Sequence, residues 1–411
     1  MTTTTGRAPA LWPDVSAVPA SRLRGALARR LFLRAVRRLP LTVELPGGER
    51  LGTGGPVMRV RRPGDFHRRL GASGLIGFGE AYMAGDWEAG DADDADDLVA
   101  VLTVMAERLT TLVPPALQRL RRLAVRRMPG DELGAEEDTR RNVHRHYDLS
   151  NELFAEFLDE TMTYSAALFD GPASWATLAD AQRAKIDRLL DQARVGPGTR
   201  LLEIGTGWGE LALRAASRGA AVTTVTLSQE QWALATARAA DAGLSDRVEI
   251  LLADYREVGG SYDAIVSVEM IEAVGARYWP VYFRALEELL APGGRIAIQA
   301  ITMPHDRMLA TLDTHTWVQK YIFPGGMLPS VRAVEENLGN LRVVDRLSLR
   351  EDYAETLRLW RERYLERVHA IGALGFDEVF HRMWTLYLAY SEAGFRSRYL
   401  DVWQFTLGRE A

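Results

Sequence analysis

From residue 199 onward, short apolar runs alternate with longer segments whose apolar positions fall on one helical face. Thr199–Ile204 reads as a buried strand, followed by a glycine-rich turn and a helix through Arg218. Ala221–Leu227 predicts a second strand, and Ser228–Ala242 a helix with Ser228 as N-cap. Val248–Leu252 and Asp263–Val268 follow as strands, then a helix over 278–290, a Pro-Gly-Gly turn at 292–294 and a strand over Arg295–Ile301. Repeated βα units of this kind predict a parallel, doubly wound sheet with helices on both faces. The C-terminal ~80 residues read as helical and aromatic-rich, from Trp360 and Tyr364 to Trp403 and Phe405, and such rings pack into cores by default.

The first part of the chain is patterned differently. It predicts a helix at 21–38, alternating stretches at Leu41–Leu45 and Val57–Val60, and a helix at 98–109. The polar segment 128–141 contains Pro129-Gly130 and reads as a linker. The expected organisation is a small N-terminal domain over 1–127, a linker over 128–141 and a catalytic domain over 142–411.

Composition narrows the chemistry. Cys 0 removes disulfides, thiolate metal sites and a catalytic thiol, and the histidines lack metal-ligand spacing, so no metal is expected. The net charge of −5 argues against a nucleic-acid partner. No apolar stretch reaches the roughly 18 residues of a membrane span, and Met1–Gly6 lack signal-peptide character, so a cytoplasmic protein is expected. Lys185 and Lys320 are the sole lysines, and residues 21–38 carry seven Arg with no acid. That run is a candidate for anionic lipid headgroups, although Arg30, Arg34 and Arg38 share a face with Leu23, Leu27 and Leu31, so a solvated face stands beside that reading.

The strongest local signal is Leu201-Leu202-Glu203-Ile204-Gly205-Thr206-Gly207-Trp208-Gly209-Glu210. Glycines at a strand end let a ligand approach the following helix N-terminus. A dinucleotide fingerprint, G-x-G-x-x-G, would need glycine where Glu210 stands, which disfavours a nicotinamide oxidoreductase. Glu203 would repel a pyrophosphate but suit the ammonium and sulfonium of S-adenosylmethionine. Asp254, with Tyr255 after it, ends the third strand on the adenine side. The second strand ends Val225-Thr226-Leu227-Ser228 without an acid for the ribose, so Thr226 and Gln231 are expected to supply those hydrogen bonds. The cofactor set is therefore Glu203, Gly205, Thr206, Gly207, Gly209, Thr226, Leu227, Gln231, Asp254 and Tyr255.

Several ordered motifs resemble the cyclopropane-fatty-acid synthases: Asn142–Asn151 with His144, His146, Tyr147 and Asp148; Met162-Thr163-Tyr164-Ser165; Thr226-Leu227-Ser228; Lys320–Gly326; and Leu328-Pro329-Ser330. The likeness is dense over 142–408 and extends more weakly through Gly77–Met83 and Gly85–Glu88. It implies a class I methyltransferase fold, a Rossmann-like doubly wound sheet with helical insertions and a small N-terminal domain that meets lipid. It also implies methyl transfer from S-adenosylmethionine to the cis double bond of an acyl chain in a phospholipid, at the inner face of the cell membrane. Tyr164 and Ser165 would then touch the amino-acid end of the cofactor.

In this family a bound bicarbonate takes a proton from the new methyl. The positions around it are Glu272, Tyr353 and Ile301, with Ala166 where the family has Cys, Gln299 where it has His, and Ala273 for a further His. Glu272, Tyr353 and Gln299 are the expected catalytic residues, and whether bicarbonate binds stays open, because neither Ala166 nor Gln299 can present a cation. Glu269–Gly275 and Gln299–His305 resemble the actinobacterial branch that makes 10-methyl fatty acids through a 10-methylene intermediate, saturated by a separate reductase. A 10-methylene product from an oleoyl chain is therefore the leading expectation. Cyclopropanation is the alternative within the class, a non-catalytic lipid-binding partner the alternative outside it, and a homo-oligomer is left open.

Overall fold

The computed structural model describes residues 12–90, 94–108, 150–312 and 314–409. The expected linker at 128–141 and the motif at 142–149, with His144 and His146, lie outside the described residues. Contacts divide the chain into two compact units, one of Met1–Arg126 with Gly375–Ala393, the other of Arg127–Leu374 with Gly394–Ala411. The expected division gave the whole C-terminus to the catalytic domain; the contacts instead place 375–393 in the first unit, where Asp377 accepts from the Trp12 indole and Arg382 donates to the Tyr82 carbonyl.

In the first unit, β1 (Thr42–Glu44) lies between β2 (Arg50–Gly52) and β3 (Val57–Val60), and β4 (Trp87–Ala89) pairs with β3. Helix α1 (Arg22–Val36) begins where the Ser21 hydroxyl accepts from the Arg24 N–H. It lies close against α2 (Pro63–Ser73) because glycines face the crossing: a Cβ at Gly71 would stand 2.5 Å from the Arg24 carbonyl oxygen. That contact leaves Leu23, Leu27 and Leu31 on the outer side, 87%, 60% and 40% exposed.

The second unit is built on a seven-stranded sheet of order β10-β11-β9-β8-β5-β6-β7. Its strands are β5 (Arg200–Ile204), β6 (Ala221–Thr226), β7 (Val248–Leu252), β8 (Tyr262–Val268), β9 (Leu290–Thr302), β10 (Leu341–Ser348) and β11 (Asp401–Arg409). β5 to β9 are parallel, as the βα alternation predicts, while β11 runs antiparallel to both neighbours. Successive residues feed opposite cores: Leu202, Ile265 and Ile296 enter one, and Leu201, Val266 and Ala297 the other.

Two expectations are corrected. The C-terminal region is not helical throughout, since β10 and β11 lie in it. β11 is buried on both faces and so lacks the in-out alternation that marks a strand. The Pro-Gly-Gly segment is an irregularity within β9 rather than a turn before it, because pairing with β8 jumps from Tyr262–Leu290 to Ala264–Arg295. Gly294 is required there: a Cβ would stand 2.8 Å from the Asp263 carbonyl oxygen.

Candidate functional site

The glycine loop leaves the C-terminal end of β5 and enters helix α3 (Glu210–Ser217), with Gly209 as N-cap. Gly205, Gly207 and Gly209 have φ of +96°, +53° and +94°, where a side chain is strained. A Cβ at Gly205 would overlap Met270 Cγ at 2.5 Å, whereas one at Gly207 would project into open space. The loop therefore packs tightly on the 269–270 turn and leaves a cradle beside Gly207.

Beneath the loop lies a buried polar cluster. Glu203 Oε2 accepts from the Thr224 hydroxyl at 2.6 Å, and Thr224 meets the Thr206 hydroxyl at 2.8 Å. Burial pushes the Glu203 carboxyl up to about 8, against the pull of Thr224 and of the Lys185 charge. Lys185, on helix α4 (Trp175–Gln192), is fully buried and donates to Ser165 Oγ at 2.5 Å. Burial lowers its ammonium to about 8, while the charges of Glu269, Asp159 and Glu203 oppose that shift. The Ser165 carbonyl accepts from Gln182, also on this helix.

The other expected cofactor residues fall around the same carboxyl-terminal end of the sheet. The Thr226 hydroxyl donates to Gln231 Oε1 at 2.9 Å and accepts from the Ser228 N–H, with Leu227 between them. Ser228 caps α5 (Gln229–Asp241), as its position predicts. Asp254 is buried and accepts from the Arg256 guanidinium through both oxygens. Tyr255 stands edge-on to Tyr282 at 5.6 Å. Tyr164 packs on Trp360 at 5.2 Å and on Phe154 at 5.1 Å.

A second carboxylate cluster forms where β8 ends. Glu269 Oε1 accepts from the Ala166 N–H at 3.0 Å and from Gln299 Nε2 at 2.8 Å, and Oε2 accepts from the Tyr353 hydroxyl at 2.8 Å. Tyr353 comes from helix α6 (Arg350–Glu366), and Gln299 from β9. Glu269 itself sits at φ +52°, held there by its own N–H donating to the Gln299 carbonyl at 2.7 Å. Glu272 Oε1 accepts from the Ile301 N–H at 2.5 Å, while Oε2 is shielded from solvent and has no hydrogen-bond partner. Burial and the nearby Glu269 charge push the Glu272 carboxyl up to about 8. The Glu269 carboxyl is also raised by burial, against its three donors and the Lys185 charge.

Two carboxylates, an amide, a phenol and a glycine cradle thus share one end of the sheet. A family model for mycolic acid cyclopropane synthetases matches residues 135–405. The chain belongs to this cyclopropane synthetase family. It is 55% identical to tuberculostearic acid methyltransferase UfaA1 of Mycobacterium tuberculosis, over 97% of this chain and 95% of that one. It is 35% identical to the cyclopropane-fatty-acyl-phospholipid synthase of Escherichia coli, over 86% of this chain and 87% of that one. It also resembles the solved structure of mycolic acid cyclopropane synthase CmaA1 with S-adenosylhomocysteine, at a TM-score of 0.59 and 32% identity, covering 65% of this chain and 97% of that one. It is a class I, S-adenosylmethionine-dependent methyltransferase. The glycine loop fits that cofactor, since the cradle at Gly207 stays open and the buried Glu203 suits a cation.

The fold brings Tyr353, Gln299 and Ala166 together, but onto Glu269, with Glu272 and Ile301 forming a separate pair beside them. Sequence reasoning named Glu269 only within a motif and passed over Lys185, Gln182 and Gln404. Lys185 carried a usable signal: it is one of two lysines in a chain of 48 Arg, counted as 50 basic residues less two.

Proposed function

We propose that this enzyme methylates the cis double bond of an oleoyl chain in phospholipid and releases a 10-methylene acyl product. The observation that carries the reading is the pair of neutral donors on Glu269: Gln299 and Ala166 bond it where an imidazole and a thiol belong in cyclopropane makers. Without a cationic imidazole there, a free anion is held less tightly, which gives the hydride shift time to precede proton loss.

S-adenosylmethionine supplies the electrophilic methyl when bound. Glu203 meets its cationic end, with Tyr164 and Ser165 nearby, and the 205–209 loop accommodates its backbone. The Gln231 amide nitrogen, its carbonyl already taken by Thr226, is the group for a ribose hydroxyl. Asp254 and Tyr255 border the adenine side. Tyr164, half-buried and packed on Trp360 and Phe154, is the ring that can offer a π-face to positive charge on the acyl chain. Glu272, Tyr353 and Gln299 govern proton loss.

No helix among the described residues is long and apolar enough to cross a membrane. Access to phospholipid then falls to a surface, and α1 suits an anionic bilayer through its arginines and its exposed leucines. The exocyclic alkene of the product calls for a separate reductase to saturate it.

The test is to incubate the protein with S-adenosylmethionine and dioleoyl-phospholipid vesicles and to read the released acids by proton NMR. Vinylidene protons support the 10-methylene reading. Upfield ring protons replace it with cyclopropanation, and unmodified oleate leaves a non-catalytic lipid binder.

A further inference from the structure

We propose that Glu269 is the catalytic base of this enzyme, a built-in carboxylate that accepts the proton lost from the transferred methyl, so that no free bicarbonate takes part. The inference rests on the methyl-transfer reading above and adds to it the identity of the base.

The geometry argues for it in three ways. The Ala166 N–H, the Gln299 amide and the Tyr353 hydroxyl all converge on one side-chain carboxylate, at 3.0, 2.8 and 2.8 Å. These are the donors that a free anion in this pocket would need, and Glu269 has taken them. A bicarbonate added beside Glu269 and Glu272 would be a third acidic group in one enclosed space, disfavoured by like charge and by desolvation.

The place is right for the chemistry. Glu269 follows the last residue of β8, and Met270 packs on Gly205, so the carboxylate stands at the carboxyl-terminal end of the sheet, which carries the glycine cradle. A non-glycine residue at φ +52° costs about 1 kcal/mol, and such strain is retained where a side chain must be aimed.

The electron count also closes. Oε1 accepts two hydrogen bonds and Oε2 one, which leaves Oε2 a lone pair. The alkene π pair forms the new C–C bond at C10 as the S–CH3 bond breaks and its pair leaves on sulfur. The C10 hydride moves with its pair to C9, placing the cation at C10. The methyl carbon then gives a proton to Glu269 Oε2, and the C–H pair becomes the exocyclic double bond. Glu269 returns that proton to water as the product leaves.

The experiment compares turnover on dioleoyl-phospholipid vesicles in carbonate-stripped buffer with and without added bicarbonate. The full-length enzyme is expected to turn over equally in both. Glu269→Gly removes the base and relieves the left-handed backbone; it is expected to lose about 100-fold or more in turnover and to regain part of it with added bicarbonate or formate, which fit the vacated space. Glu269→Gln is expected to show the same loss without rescue, and calorimetry with S-adenosylmethionine checks that both variants remain folded. A wild-type enzyme that stops when bicarbonate is removed overturns the proposal, as does a folded Glu269→Gln that keeps the native rate. An enzyme that methylates no lipid in either buffer overturns the substrate reading, and this proposal with it. Cyclopropane formed without bicarbonate overturns only the product reading and supports Glu269.

Discussion

Gln404 donates its amide to Gln299 Oε1 at 3.0 Å and thereby decides which end of Gln299 meets Glu269. The orientation of Gln404 is itself determined. Its Oε1 accepts from Arg188, which can only donate, and its Nε2 donates to the Lys185 carbonyl, which can only accept. Gln299 must then turn its NH2 toward the Ala166 carbonyl and the Glu269 carboxylate. Gln404→Glu keeps the Arg188 contact but has no N–H to give, so Gln299 is drawn round and its carbonyl faces Glu269. Steady-state kinetics should show kcat down by about tenfold or more with KM for S-adenosylmethionine little changed. An unchanged kcat would sink the positioning role.

Cofactor binding should release protons. Glu203 stands at about 8 in the free protein, so it is largely protonated at pH 7. A sulfonium and an ammonium arriving beside it favour its ionised form and lower that value. Affinity for S-adenosylmethionine should therefore rise with pH up to about 8, and calorimetry in buffers of different ionisation enthalpy should register proton release at pH 7. Glu203→Gln should lose both the release and much of the affinity. Equal heats in all buffers for the native protein would refute the linkage.

Glu272 gives the free protein a distinct pH dependence. Its carboxyl is raised from 4.5 to about 8, so its favourable contribution is complete below 4.5 and is lost as pH rises through 8. Stability lost this way runs at up to about 1.4 kcal/mol per pH unit per carboxyl. Glu203 adds a loss of the same sign, while Lys185, lowered to about 8, regains stability from there upward. Glu272→Gln should flatten the fall in Tm between pH 5 and 8 without abolishing it. A native Tm that rises across that window would contradict the assignment.

How much of this was legible in the chain can be judged residue by residue. β5 to β8 and the Ser228 cap follow from local pattern, because each strand is a short apolar run and each cap sits next to its own helix. β11 does not, since a strand covered on both faces carries no alternation, and Gln404 and Thr406 within it mimic a mixed helical segment. Glu269 was harder still. Its partners Ala166, Gln299 and Tyr353 lie 103, 30 and 84 residues away, so no local spacing connects them. Tyr353 and Gln299 were found through the family likeness, which points to positions but not to which carboxylate they would hold.

The outward side of α1 makes the last prediction. Leu23, Leu27 and Leu31 repeat at i, i+4 and i+8 and stay exposed because Gly25 and Ala28 take the inward side. Arg30 and Arg34 are exposed along the same stretch. Insertion of the leucines would bring apolar burial of about 1.5–3 kcal/mol for each side chain fully covered. Each arginine near an anionic surface adds about 1 kcal/mol, and salt screens that part alone. Changing the three leucines to Gln should weaken sedimentation with both zwitterionic and anionic vesicles. Changing Arg30 and Arg34 to Gln should weaken it with anionic vesicles only, by roughly 30-fold for the pair at about 1 kcal/mol each. These side chains point away from the core, so melting temperatures should stay within a degree or two. Binding that survives both sets of changes would move the membrane contact elsewhere on the protein.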